Sequence, residues 1–469
     1  MGGGLLQLVS YGAQDVFLTG SPQVTFFRSL YRRHTHFAIE SIRCSFTGGG
    51  SGSGSSFGTD LKAEISRNGD LLHRLYLEVT LPASRMSATA DVDKWAYVRN
   101  LGHVIMEEAR VEIGGQQIDK ITGRFDNLWN ALTLKSDKKV GFYHMTGTDT
   151  DPVTSDSPLE LTTETTFYLP ISFWFSGSNG TGGLGQALPL IALQYHQVVL
   201  YIKTAPVKDM IRRLDDAGNA ANPSVVVSPY TKSAVDDAAS EMTGDKIKLY
   251  ADFVFLDTAE RRRFAQTSHE YLVTQLQERK EILDANGNNT IQLPFNHPTK
   301  CLMWSLYRAE SDKYNMFNPL YNGFMDPNSY PYAAAGDMRY GSNNNPIAHV
   351  ELKLNNQDRF EKRKGSYFSL VQPFQHAPVI PENNWLGIYS FSLDISEFQP
   401  SGTLNLSRVD DCRLILDIKD PSNTNYLSSP TEANIYKNGA VGKYDAYIYA
   451  VNLNVFRVIS GMGGLAFSN

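Results

Sequence analysis

The chain has 469 residues, a formal net charge of −6, and 42% apolar, 11% aromatic and 20% charged residues. That length exceeds one comfortable core and divides by default into two domains of roughly 200 residues each. The apolar share excludes general disorder, and the mild acidity excludes a global basic field, so wrapping of nucleic acid is not expected.

Residues 1–22 read as an arm: a glycine run, the short amphipathic stretch LLQLVSYGAQDVFL, then a Ser-Pro break. Such an arm packs on a neighbour or on the inner face of a shell. It lacks a basic segment followed by a long apolar core, and no window offers about 18 uncharged apolar residues. A soluble protein made in the cytoplasm is therefore expected.

From Val24 onward, short β-branched and aromatic runs punctuated by Gly, Asn, Asp and Pro predict strands. Residues 63–66, Asn68-Gly69-Asp70 and residues 71–81 predict a hairpin, because Asn-Gly readily supplies positive φ. Gly114-Gly115 repeats the device between residues 111–113 and 117–118. Helices are expected at residues 125–134 (FDNLWNALTL) and 258–265 (TAERRRFA), the second capped by its threonine. Residues 48–56 (GGGSGSGSS), 207–243 and 318–345 predict long loops between strands. Residues 257–277 form the best boundary, where Glu260, Arg261, Arg262 and Arg263 break the β pattern.

The chain states its β plan twice. Residues 111–120 (VEIGGQQIDK), 188–202 (LPLIALQYHQVVLYI) and 250–256 (YADFVFL) are answered in order by residues 350–360 (VELKLNNQDRF), 412–418 (CRLILDI) and 447–458 (YIYAVNLNVFRV). Order and spacing carry the repeat, since identity between the copies is slight. Two fused all-β units predict internal pseudo-symmetry and point to assembly before chemistry.

His34-Thr35-His36 with Glu40 is the sharpest catalytic candidate, since two imidazoles share one strand face and a carboxylate could complete a metal triad. The flanking glycines and fourth histidine of cupin-type sites are missing, and Arg32 and Arg33 place cations alongside. No metal and no cofactor is expected, and a metal-dependent cupin-like enzyme stands as the alternative. Neither a Gly-x-Ser-x-Gly elbow nor a phosphate-binding Gly motif occurs, so the chain is expected not to be an enzyme. The terminal Gly461-Met462-Gly463-Gly464 precedes no helix and reads as a turn that folds back the tail.

Arginines cluster at Arg32-Arg33, Arg212-Arg213, residues 261–263 and residues 359–364, but Glu260 and Glu361 interrupt the field. Contacts between subunits are the best role, with Arg32, Arg33, Asp257, Arg261, Arg262, Arg263 and Arg359 as candidates. Sequons begin at Asn179, Asn288 and Asn405, and without a secretory signal chance occurrence is the plainer reading. Tyr314, Phe317, Tyr321, Tyr330 and Tyr332 suggest a second alternative, a glycan-binding β-sandwich. Cys44, Cys301 and Cys412 are odd in number and far apart, which predicts buried free thiols.

The opening LLQLVSYGAQDVFLTGSPQVTFFRSLYRRHTHFAIESI resembles the start of major capsid proteins of large icosahedral nucleocytoplasmic DNA viruses, the phycodnavirus, mimivirus and iridovirus group. ISRNGDLL, VEIGGQQIDK, LPLIALQYHQVVLYI, FLDTAERRRFAQTSHEYLVTQLQ, FNHPTK, NNQDRFEKRKGSYF, QPSGTLNLSRVD and NVFRVISGMGGLAFSN look like family blocks in family order, over essentially the whole chain. The resemblance implies an all-β double jelly roll, two eight-stranded antiparallel sandwiches in tandem. Its implied parts are an arm at 1–22 facing the capsid interior, jelly roll 1 at 23–258, a linker at 259–270 and jelly roll 2 at 271–469. It further implies a homotrimer forming a pseudo-hexameric capsomer of an icosahedral virion shell, assembled in the host cytoplasm, with long loops as outward towers. The implied partners are neighbouring capsomers, minor or cement proteins, penton proteins and an inner membrane near the arm, with no specific nucleic acid.

Overall fold

The computed structural model describes residues 3–47, 57–85, 95–98, 100–147, 159, 161–177, 184–213, 238–242, 244–284, 287–308, 347–381, 386–418 and 443–467. They fall into two compact units, Met1–Phe37 and Ala38–Asn469. The smaller unit holds two short helices, Gly3–Val9 and Val16–Thr19, neither of which buries a residue. Its Phe17, Phe26, Phe27 and Tyr31 side chains stand almost fully in solvent.

The first half of the larger unit is built on β1 (Phe37–Cys44), β2 (Phe46–Thr47), β3 (Asp60–Ile65), β4 (Leu71–Leu81), β5 (Trp95–Tyr97), β6 (Met106–Ile113), β7 (Gln116–Thr122), β8 (Thr165–Pro170), β9 (Val198–Thr204), β10 (Ile211–Arg213) and β11 (Ile247–Leu256). One sheet runs β1-β11-β4-β8 and the facing sheet β2-β3-β9-β6-β7, while β5 and β10 pair as a separate ribbon. The second half comprises β12 (His269–Asp284), β13 (Gly287–Gln292), β14 (Pro298–Arg308), β15 (Ile347–Leu354), β16 (Gln357–Lys364), β17 (Leu386–Ser390), β18 (Leu404–Asn405), β19 (Cys412–Ile418), β20 (Lys443–Ile459) and β21 (Met462–Leu465). Its sheets run β12-β20-β14-β17 and β13-β19-β15-β16, with β18 and β21 added at β14 and β20.

Setting aside the short accessory strands β2, β5, β10, β18 and β21, the described residues of each half contain eight strands with one spatial order. In each, the first, eighth, third and sixth strands make one sheet, and the second, seventh, fourth and fifth make the other. That order is the jelly roll, and the chain contains two in tandem. The fourth and fifth strands form a tight hairpin in both copies, with Ile113 opposite Gln116 and Leu354 opposite Gln357. Each turn needs two positive φ angles, supplied by Gly114-Gly115 (61° and 80°) and by Asn355-Asn356 (48° and 66°).

Period-two patterning fixes the inner faces. On β4, Leu75, Leu77, Val79 and Leu81 are buried while Arg74, Tyr76, Glu78 and Thr80 alternate outward. Across the first core they meet Leu61 and Ala63 of β3, Ala109 and Val111 of β6, and Leu200 and Ile202 of β9. The second core gathers Leu302, Trp304 and Leu306 of β14, Val350 and Leu352 of β15, and Leu414 and Leu416 of β19.

The hairpin expected around Asn68-Gly69-Asp70 does not form. β3 pairs with β9 in one sheet and β4 with β11 and β8 in the other, so the turn carries the chain across the sandwich. Neither Asn68 nor Gly69 adopts positive φ. Asp70 reaches instead to β11, where its backbone N–H donates to Val254 O at 3.0 Å. The expected helices occupy Gly123–Thr133 and Thr258–Gln266, and Asp257, not Thr258, sits at the second N-cap, without a side-chain capping bond. Helices Leu101–Ile105 and Ser136–Thr146 carry no strong periodic signal and were not expected. Of the expected loops, residues 48–56 and 318–345 lie outside the described residues, while Val207–Met210 is a helical turn running into β10.

Candidate assembly surfaces

The two sandwiches share a wall. Along β20, Ala446, Ile448 and Ala450 face the second core, whereas Tyr447, Tyr449 and Val451 belong to the first. β14 divides likewise, Leu302, Trp304 and Leu306 facing one way, Cys301, Met303 and Tyr307 the other. A sheet buried on both faces needs strands that are apolar without polar alternation, which is how KCLMWSLY and AYIYAV read.

From the first sandwich, β7, the helix Gly123–Thr133 and the loop after β8 cover this wall. Gly123 has no room for a side chain, since a Cβ would stand 2.0 Å from His103 O and 2.3 Å from Met106 O. Thr122 caps the helix by accepting a hydrogen bond from Phe125 N at 3.4 Å. The chain is thereby turned so that Arg124 and Phe125 enter the seam. Phe125 packs on Tyr449 with ring centroids 5.5 Å apart. Trp174 packs on Phe456 at 5.7 Å and on Tyr271 at 5.9 Å. Gln275 donates to Ile118 O and Gln186 to Leu272 O, so hydrogen bonds tie backbone to side chain across the same boundary.

Ionisable side chains also enter the seam. The Arg124 guanidinium lies over the rings of both Tyr307 and Tyr447, 4.7 and 4.9 Å from their centroids. Burial raises the Glu278 carboxyl above its ordinary range, against the pull of Lys120 and Arg124. Burial likewise pushes the Asp119 carboxyl up to about 8, so it is chiefly neutral at pH 7, although Lys120 N donates to its Oδ1 at 2.8 Å. Lys300, lowered by burial, donates to the carbonyls of Ile395 (2.8 Å) and Glu397 (2.9 Å) and pins the loop after β17. Asp119, Lys300, Phe125, Trp129 and Phe398 line a cavity of about 70 Å³. It has room for a few waters and is well below the volume that encloses an organic substrate.

The predicted contact residues fall on several separate elements. Arg261 ion-pairs with Asp70 at 3.0 Å. Arg262 and Arg263 project into solvent without an ion pair among the described residues, and exposed Asp257 accepts from Arg261 N through its carbonyl at 2.8 Å. Arg359 stands on the exposed β16, 5.8 Å from the Tyr389 ring centroid. Arg32 and Arg33 are exposed in the smaller unit. Asn288 and Asn405 are exposed, but Asn405 Oδ1 accepts from Ser407 N at 3.1 Å and Ser407 Oγ accepts from His297 N at 2.8 Å. Asn179 and the aromatic residues 314–332 lie outside the described residues, as do the side chains of Arg212 and Arg213.

His34 and His36 are exposed, with His34 Nδ1 hydrogen-bonded to Thr35 O at 2.8 Å. Among the described residues no group of three His, Cys, Asp or Glu side chains converges as metal ligands would. The three cysteines are free and buried, with burial raising Cys44 to about 11 and Cys301 and Cys412 to about 12. Sequence reasoning missed the aromatic seam of Phe125, Trp174, Tyr271, Tyr449 and Phe456. The signal was present in β20, where tyrosines occupy the positions that a one-faced strand gives to polar groups.

Comparison with known proteins places the whole chain. The profile of a family described as "Major capsid protein N-terminus" matches residues 25–257, and that described as "Large eukaryotic DNA virus major capsid protein" matches residues 260–464. The major capsid protein of Paramecium bursaria Chlorella virus 1 is 37% identical over 487 residues, and that of Pyramimonas orientalis virus 36% over 491, with full coverage of both chains in each case. A quasi-atomic model of the PBCV-1 virus capsid superposes with a TM-score of 0.71 at 32% identity, covering 95% of this chain and all of that one.

Proposed function

The chain belongs to the family of major capsid proteins of large eukaryotic DNA viruses, and we propose that three copies of it build a pseudo-hexameric capsomer that tiles an icosahedral virion shell. The observation that carries this reading is the strand order repeated in both halves, with the second sandwich's inner sheet held between two cores. Each chain then contributes two similar walls in a fixed relation, and three chains give a nearly sixfold outline suited to close packing. Affinity in such a lattice comes from many repeated contacts and needs no single dominant anchor.

In this reading residues 23–258 and 271–469 are the two jelly rolls and 259–270 the linker. The apolar side chains exposed on the smaller unit support an arm that is covered by a neighbour, a minor or cement protein, or the surface of an inner membrane. Penton proteins and adjoining capsomers are the remaining partners, and assembly takes place in the host cytoplasm. The role is structural, without catalysis or specific nucleic-acid binding. Native mass spectrometry of the purified protein at micromolar concentration tests the proposal. A particle of three chain masses is expected, and a persistent monomer contradicts it.

A further inference from the structure

The cavity of about 70 Å³ lies where the two sandwiches meet, and the polar side chains around it come from both. β7 contributes Asp119, the loop after β8 contributes Trp174, and β14 contributes Lys300. All three are buried, Lys300 at 4% exposure and Asp119 and Trp174 at 5% each. A bulge in β14 sets the lysine in place. Thr299 pairs with Asn452 and Cys301 with Val451, so Lys300 is the extra residue between two consecutive partners. Such a residue leaves the ladder, and its side chain is aimed anew.

These groups are donors in search of an acceptor. An ammonium has three N–H groups, and Lys300 directs two of them to Ile395 O and Glu397 O. The Trp174 indole N–H is buried with no hydrogen-bond acceptor among the described residues. Asp119, chiefly neutral at pH 7, adds a carboxylic O–H, while its Oδ1 already accepts from Lys120 N at 2.8 Å. The charge of Lys300 is also uncompensated. Burial disfavours its protonated form, and the carboxylates of Asp394 and Glu397, outside ion-pairing range, only partly offset this. Water in the cavity would satisfy the donors without balancing a buried ammonium, whereas an anion does both.

We propose that this cavity is a binding site for a small monovalent anion of halide size, held by the Lys300 ammonium, the Trp174 indole N–H and the Asp119 carboxyl. A halide is little larger than water, so a space with room for a few waters admits it. Ser172, Thr274 and Ser396 also line the cavity and bring hydroxyl groups to it. Since its donors belong to both sandwiches, the ion clips the second sandwich to the covering loop of the first.

Bromide, which carries an anomalous X-ray signal, reads the site directly. Crystals of the full chain grown in sodium bromide are expected to show an anomalous peak within hydrogen-bonding reach of Lys300 Nζ and Trp174 Nε1. Density for water alone in the cavity under those conditions overturns the proposal. In solution, the thermal midpoint should be higher in sodium chloride or bromide than in sodium gluconate of equal ionic strength, whose anion is too large to enter. Trp174→Phe removes the indole N–H and is expected to shift that response to roughly tenfold higher halide concentration. Lys300→Met, which keeps the length of the side chain, should abolish it. The response is read within each variant against its own gluconate baseline, so a general loss of stability does not mimic the result. Equal midpoints in halide and gluconate for the wild type, or a halide response unchanged in both variants, also overturn the proposal.

Discussion

Arg261 and Asp70 tie the helix between the two sandwiches to the first of them. The Arg261 Nε and Nη2 atoms donate to Asp70 Oδ2 at 3.2 and 3.0 Å, and the same oxygen accepts from Leu256 N at 2.8 Å. Asp70 is buried whereas Arg261 is half exposed. The two partners are therefore unequal. Asp70→Ala strands the Leu256 N–H and is expected to cost about 2 kcal/mol. Arg261→Ala is expected to cost at most about 1 kcal/mol, because water screens the guanidinium. Urea denaturation of both variants checks the order, and a larger loss at Arg261 contradicts it.

Asp119 makes the seam sensitive to pH. Its folded carboxyl, raised to about 8, lies above its unfolded value near 4. A group raised on folding contributes stability that is complete below the unfolded value and lost as pH rises through the folded one. Unfolding free energy from this group should fall between about pH 4 and pH 8, by up to about 1.4 kcal/mol per pH unit. Asp119→Asn, which stays neutral, should flatten that part of the profile. Thermal midpoints from pH 5 to pH 8 read it, and parallel profiles for both proteins contradict the assignment.

Phe125 fills the seam opposite Tyr449. Phe125→Ala should cost about 3–5 kcal/mol, typical of an aromatic deletion from a packed core. The loss should concentrate where the sandwiches meet. Hydrogen exchange is expected to quicken along β7 and β20 while β15 and β19 keep their protection.

Gly387 lies against the Trp304 indole, where a Cβ would stand 2.2 Å from Nε1. Both residues belong to paired strands, Trp304 opposite Gly387, so the backbone has little freedom to yield. Gly387→Ala should lose about 1–3 kcal/mol through overpacking, the reverse of the usual gain from removing a strand glycine. A raised melting temperature contradicts this packing.

The tandem plan was legible because three of its landmarks are strongly patterned. Residues 111–120 and 350–360 are the hairpins of the fourth and fifth strands, residues 412–418 and the end of 188–202 are seventh strands, and residues 250–256 and 447–458 lie in eighth strands. The Asn-Gly turn misled because a turn signal states where the chain bends and not which strand it pairs with. Leu188 to Gln197 was read with a strand, yet it is chiefly turns whose apolar side chains, Leu188, Leu190 and Leu193, close the core. Contact arginines were drawn from clusters of charge, whereas the built seam is aromatic and encloses the guanidinium of Arg124. Isolated in sequence between Gly123 and Phe125, it gave no cluster to notice.

Electron microscopy of the purified particle tests the central claim most directly, since three chains of paired sandwiches have a shape that other assemblies lack. Class averages viewed down the particle axis should show six lobes alternating between two slightly different kinds. A two-lobed particle, or a ring whose lobe number is not twice the number of chains, would contradict it.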